Sequence, residues 1–313
     1  MEIQEYKPGD ENEILKLFQK TFGKSMSKEY WNWRFLQNSY SSKPLIHLMW
    51  DGDNLVGHYA LSPVMFKINE DFHLGALSMT TMTDPDYNGR GIFTTLANSL
   101  YSEIVEKHKF DFVYGFPNNN SHRGFIKNLR WKDIEIIPSF SVLNSKQISD
   151  LKSQSSNLPL LENLKENNII RYNNLIEDYN IYQFKNLDYI NWRYIQNPIH
   201  KYYILGNSDY DFVIYKIFKN SDSIEIDIVE WCIPDDFDKV VSVLNSILKE
   251  CDKGIKKINL WIPLKDKRHL DLERIGFSYT LPVTYLGFLD LKNINLELNS
   301  YSWYYQMGDS DVY

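Results

Sequence analysis

Apolar residues Ile14, Leu17, Phe18 and Phe22 mark one face of a helix, and Asp10 followed by Glu13 offers side-chain acceptors for its first turn. A second, short helix is predicted from Ser27, carrying Tyr30, Trp31, Trp33 and Phe35. From Leu45 to Leu77 the pattern turns to strands. Asp51-Gly52-Asp53-Asn54 reads as a hairpin turn between apolar runs, Asn69-Glu70-Asp71 as another, and Ala76 to Thr83 as a further strand. Beyond Asp84–Phe93, residues Leu96, Ala97, Leu100, Tyr101, Ile104 and Val105 recur at helical spacing and predict a helix to about His108. Asp111 to Phe116 reads as a short buried strand, Asn118 to Ser121 as the cap of a helix ending near Arg130, and Ile134 to Leu143 as a closing strand.

The order of features then repeats. Tyr30-Trp31-Asn32-Trp33-Arg34-Phe35-Leu36-Gln37-Asn38 returns as Tyr189-Ile190-Asn191-Trp192-Arg193-Tyr194-Ile195-Gln196-Asn197. Phe112–Pro117 pairs with Ile258–Pro263, and the step from that proline to the next aromatic is the same in both: 131 − 117 = 14 to Trp131, 277 − 263 = 14 to Phe277. Shared order at shared spacing is the signature of duplication. Between the copies, residues 144–168 are polar, rich in Ser, Asn and Lys, with Pro159 inside. The expected division is a first domain over 1–145, a linker over 146–168, a second domain over 169–298 and a tail over 299–313. The tail is aromatic and acidic, a composition that predicts packing against the body.

Composition narrows the class. At 43% hydrophobic and 24% charged residues the chain is globular, and a net charge of −7 argues against a nucleic-acid binder. Cys232 and Cys251 form no metal or disulfide spacing, no metal site is expected, and no apolar run is long enough for a bilayer. A cytoplasmic protein is expected, with no membrane or nucleic-acid partner, as a monomer or homodimer.

The chemistry concentrates at Asn88-Gly89-Arg90-Gly91-Ile92-Phe93-Thr94, between a strand and a helix. Glycines let backbone N–H groups approach a ligand, the helix start favours an anion, and Arg90 adds charge. The third glycine and the placed acid of a dinucleotide fold are missing, and nothing fits a Walker loop. In the second copy the corresponding Pro234-Asp235-Asp236-Phe237-Asp238 has no glycine and would repel a phosphate.

This segment resembles the acetyl-CoA-binding segment of the GNAT acyltransferases: Gln or Arg, two residues, Gly, one residue, Gly or Ala. Here Asn88 stands first, Gly91 is the central glycine and Phe93 is last. The resemblance covers residues 1–143 and, as a degenerate repeat, 185–291. Such tandem arrangements are similar to the enhanced-intracellular-survival and Fem-type proteins, and the Gly-Ile-Phe loop to GNAT proteins of surface-polysaccharide clusters. It implies an α/β (α+β) fold of two tandem GNAT-like domains, each a mixed, mainly antiparallel sheet flanked by helices. It also implies an N-acetyltransferase using acetyl-CoA on a small amine, amino sugars among them. Asn88 to Phe93 would hold the pyrophosphate, with Thr94 Oγ assisting. Met82 and Thr83 would pair with the pantetheine and point an N–H at the thioester carbonyl. Asn118 would bond the pantetheine or cap its helix.

The family's usual tyrosine is missing from the helix that carries Phe125 and Ile126, which leaves the general acid unassigned. The candidates for the base that receives the amine's proton are His58 and His122, and Asp309, Asp311 or the Tyr313 carboxylate if the tail enters the cleft. Trp31, Trp33, Trp192, Arg34 and Arg193 recur in both copies and read as fold packing. A non-catalytic acyl-CoA-binding module and a Fem-type aminoacyl transferase are the alternatives.

Overall fold

The computed structural model describes residues 1–38, 40, 43–143, 158–207, 209–219, 223–250 and 255–313. Cys251 and most of the expected linker lie outside the described residues. A strand that the sequence pattern did not predict, β1 (Glu2–Glu5), comes first; α1 (Glu11–Phe22), α2 (Lys28–Leu36), β2 (Leu45–Asp51), β3 (Asn54–Ile68) and β4 (Asp71–Thr83) then follow the predicted order. Ser27 caps α2 by accepting from the Tyr30 N–H at 3.1 Å. Asp10 does not cap α1 as the sequence suggested: its carboxylate turns back to the Lys7 N–H at 2.8 Å, because the residue is already in the helical region of backbone space.

After a short turn come α3 (Ile92–His108), β5 (Phe112–Gly115), α4 (His122–Leu129) and β6 (Lys132–Val142). The second half supplies β7 (Leu160–Leu161), α5 (Glu166–Leu175), β8 (Ile181–Gln183) and α6 (Leu187–Ile190). It continues with β9 (Tyr202–Gly206), β10 (Phe212–Lys219), β11 (Ile224–Cys232), α7 (Phe237–Glu250), β12 (Ile255–Leu260), α8 (Arg268–Ile275) and β13 (Ser278–Asp290). This is a mixed α/β fold, its sheet flanked by helices, as expected.

One sheet runs through both halves in the order β1-β2-β3-β4-β5-β13-β6-β12-β11-β10-β9-β7. β4 pairs parallel with β5, and β11 parallel with β12. The centre is an exchange. β13, from the second half, lies between β5 and β6, while β6 lies between β13 and β12. Each half's last strand is therefore embedded in the other's.

The repeated motif forms a second junction. The Trp33 and Trp192 rings stack at 5.4 Å. Trp33 Nε1 donates to the Trp192 carbonyl at 2.8 Å, and Trp192 Nε1 to the Trp33 carbonyl at 3.2 Å. Identical groups meeting reciprocally are what a two-fold relation produces.

Candidate active site

β4 and β5 pair only from Gly75–Phe112 to Leu77–Tyr114. Beyond that point they part, and a cavity of about 760 Å³ opens between them. Its walls are Ser78 to Thr81 of β4, Gly115 to Asn118 after β5, Phe125 of α4, Phe18 and Phe22 of α1, and Tyr30 and Arg34 of α2. Ile199 and His200 of the second half and Asp311 and Val312 of the tail complete it. Gly115 keeps the floor open: a Cβ there would sit 3.3 Å from Trp131 Cη2 and 3.5 Å from Ser78 Cβ.

The wall of β4 is bulged. His58 pairs with Met82 but Ala60 with Met79, so Thr80 and Thr81 together face Tyr59. Thr80 has φ 48°, a left-handed conformation that a β-branched residue adopts only when its surroundings hold it there. His58 is one such support. It is fully buried, its Nδ1 lies 2.8 Å from the Thr80 carbonyl, and burial pulls its pKa down to about 4. A carbonyl only accepts, so the neutral ring carries its proton on Nδ1. His58 thus lies beneath the cavity wall and not in the cleft, where the sequence reading had put it; its ring meets the edge of Phe35.

Past the bulge, the Met82 side chain is buried in the core, and Thr83 leads through Asp84 into the turn. Lys20 ties Asp84 and Asp86, each at 2.7 Å. Arg90 lies over the Tyr87 ring at 4.5 Å. Gly89 and Gly91 have φ 78° and 75°, and nothing stands within 4 Å of where their side chains would be. Gly91 is the N-cap of α3; no side chain caps that helix end, and its first turn holds no acid. In the second half, Asp236 accepts from the Lys239 N–H of α7 at 3.1 Å. One helix end is closed by the chain's own carboxylate and the other is left open to an external anion. Phe93 connects the open end to the cavity by packing against Phe125 at 5.0 Å.

The remaining candidates separate. His122 lies outside the cavity, 2.8 Å from Asp133 Oδ1 and stacked on Tyr285 at 3.8 Å. Asn118 is on the wall, but its Oδ1 is committed to the N–H groups of Asn120 and Ser121 at 2.9 and 3.2 Å. Asp309 is buried against Lys185 Nζ at 2.6 Å, in a cluster with Glu230, Tyr194, Gln306 and Tyr172. The main-chain oxygen of Tyr313 is held by Arg193, and its ring meets Trp261 at 5.1 Å. Of the tail's candidates, Asp311 reaches the cavity.

His200 escaped the sequence reading, since a histidine in a loop of the second half carries no local signal. Its ring meets Tyr30 edge-on at 5.9 Å. Burial, and then the nearby Lys216, Arg193 and Lys24 cations, hold its pKa below the usual histidine range, so it is neutral at pH 7. Among the described residues, no group of His, Cys, Asp and Glu could hold a metal ion, and no helix is long and apolar enough to cross a membrane.

Comparison with known proteins gives the class. Residues 2–132 match a family model described as an acetyltransferase (GNAT) domain. That stretch contains the cavity's β4 wall and the glycine turn, and it makes this part of the chain an acyltransferase domain. Among solved structures, a GCN5-related N-acetyltransferase from Anabaena variabilis superposes with a TM-score of 0.68 at 14% identity, over 93% of this chain and 72% of its own. One from Kribbella flavida gives 0.68 at 12% identity, over 93% and 72%. These likenesses establish a shared fold. No curated protein matches by sequence.

Proposed function

We propose that the chain is an acetyl-CoA-dependent N-acetyltransferase for a small amine, amino sugars included, and that its second half is a degenerate copy of the first. The observation that carries this is the uncapped amino end of α3, whose Phe93 packs on Phe125 of the cavity wall, next to the stretch of β4 that β5 leaves unpaired. The first-turn amides of α3 and the Asn88–Phe93 turn, with Thr94 beside them, take the diphosphate. The pantetheine, itself an amide chain, lies against β4 where β5 no longer pairs.

Met82 and Thr83 then line the approach, while the bulge at Thr80–Thr81 sets the amide that meets the thioester oxygen. That donor stabilises the charge that develops as the amine attacks the carbonyl carbon and the C–S bond breaks. Neutral His200 takes the proton from the attacking nitrogen, and Asp311 attracts the ammonium form beforehand. Tyr30, whose ring meets His200 edge-on in the cavity wall, is the donor assigned to return a proton to the thiolate. Binding of acyl-CoA without transfer is the second reading, favoured by Phe125 standing where the family's tyrosine is usual.

The test is acetyl transfer from acetyl-CoA to a panel of amines, run beside calorimetric CoA titration of wild type and a Gly89→Ala, Gly91→Ala double variant. Transfer by the wild type is expected, with CoA affinity at least about 10-fold weaker in the variant, because both positions need positive φ and close approach. CoA binding with no acetylated amine would select the second reading. Unchanged CoA affinity in a folded variant overturns the site.

A further inference from the structure

The second half contains the counterpart of the cavity, and the chain itself fills it. The β11–β12 pairing also stops part-way, at Asp227–Asn259, and β11 also bulges just beyond, at Val229. Where β4 faces open space, β11 faces the tail. Trp231 N–H donates to Gln306 Oε1 at 2.9 Å, and a Cβ on Gly308 would sit 2.8 Å from the Val229 carbonyl. Trp261, at the repeat position of Gly115, closes the space further by packing on Tyr313.

Arg193 grips this occupant. It is buried, and its Nη2 donates to the main-chain oxygens of Ser310, at 3.0 Å, and of Tyr313. Its repeat mate is Arg34, next to Trp33 as Arg193 is next to Trp192. Arg34 is only 5% exposed, stands in the wall of the open cavity, and its Nη2 has no hydrogen-bond partner. A buried guanidinium nitrogen with no acceptor is a cost that a ligand oxygen removes.

We propose that Arg34 anchors a carboxylate of the acceptor, so that the substrate is an amine bearing an acid group, of the amino-acid type. This rests on the acyl-transfer reading and names its substrate class. The cavity charges agree with a zwitterion: Arg34 and Lys24 offer positive charge, and Asp311 negative. The donor does not need Arg34. Its diphosphate belongs at residues 88–94, which are not part of the cavity wall, and its acetyl group is neutral. The packing role first read into both arginines accounts for Arg193, whose donors are used, but leaves the unpartnered nitrogen of Arg34 unexplained.

The experiment measures kcat/KM with acetyl-CoA for free α-amino acids against the matching α-amino amides, in wild type, Arg34→Met and Arg34→Lys. Wild type is expected to prefer the free acids. Arg34→Met should lose about 10- to 100-fold on them, the size expected for a charged hydrogen bond. It should change little on the amides or in the KM for acetyl-CoA. Arg34→Lys, which keeps the charge and most of the stem, should recover part of the loss and stands in if the methionine variant does not fold.

A binding arm needs no turnover: a panel of N-acetyl amino acids is titrated into each protein by calorimetry, with N-acetyl amino amides as controls. Binding of the acids by wild type, weakened in Arg34→Met, supports the anchor even where no acetyl transfer is found, in which case only the transfer reading falls. Equal losses on acids and amides, no binding of any acid by wild type, or a loss confined to a carboxylated donor such as succinyl-CoA overturns the proposal.

Discussion

At the scale of single residues, the site depends on histidines whose surroundings differ more than their sequence contexts do. His58 and His200 are both held below the usual pKa, yet one is sealed under the β4 bulge and the other opens on the cavity. Of the two, His200 is the one that the proposed mechanism uses as the base for a bound amine. Its effect on rate has a definite sign. The neutral imidazole is the active form, so kcat/KM rises with pH through a depressed pKa and has lost that dependence by pH 7. The acceptor must also shed its proton, which adds a second dependence. In wild type the acid limb of log kcat/KM against pH should therefore approach a slope of about 2, and in His200→Gln about 1, with kcat lowered roughly 100-fold. A variant that keeps the steeper limb and full kcat would remove His200 from the mechanism.

Among elements, α3 and α7 show how one fold position is opened or closed by a few residues. α7 begins after Pro234-Asp235-Asp236, and the Asp236 carboxylate is bound to the helix's own amide. α3 begins at a left-handed glycine with no capping side chain and no acid in its first turn. The open end forgoes the stabilisation that a carboxylate gives near a helix start, about 0.3–1 kcal/mol. Thr94→Glu, in the first turn, should restore it. The variant is expected to melt one to a few degrees higher, by a shift of about that energy, while CoA binding measured by calorimetry weakens about 10-fold or more through repulsion of the diphosphate. Stability and affinity moving in opposite directions would identify the helix end as an anion site; both falling together would point to simple misfolding.

For the whole molecule, the exchange of β6 and β13 decides what can exist alone. A chain ending at residue 143 would leave β5 without its β13 partner and expose both edges of β6. Unpaired edges of that length are aggregation-prone. Residues 1–143 expressed alone are therefore expected to be insoluble or unfolded by circular dichroism, although they contain the matched acetyltransferase domain. The full chain should melt in one cooperative transition in calorimetry. A folded, monomeric 1–143 fragment that binds CoA would show that the exchange is dispensable. The tail adds to the same unity, because the Tyr114 hydroxyl of the first half donates to the Asp309 main-chain oxygen at 3.2 Å while the Asp309 carboxylate meets Lys185 of the second half at 2.6 Å.

The sequence by itself determined the local elements, the repeat and the glycine turn, because apolar periodicity, capping residues and positive-φ glycines act through neighbours a few positions apart. That is why Ser27 caps α2 as read, and why α3 starts after Gly91. Tertiary structure alone decided that His58 is sealed in the core while half-buried His200 opens on the cavity, that β13 lies between β5 and β6, and that Asp309 and Asp311, two residues apart, serve different halves. These outcomes depend on which distant strand supplies a partner and which side chain fills a gap. Pairing across more than a hundred residues leaves no periodic trace, and a lone arginine reads the same in a sequence whether or not its nitrogen has found an acceptor.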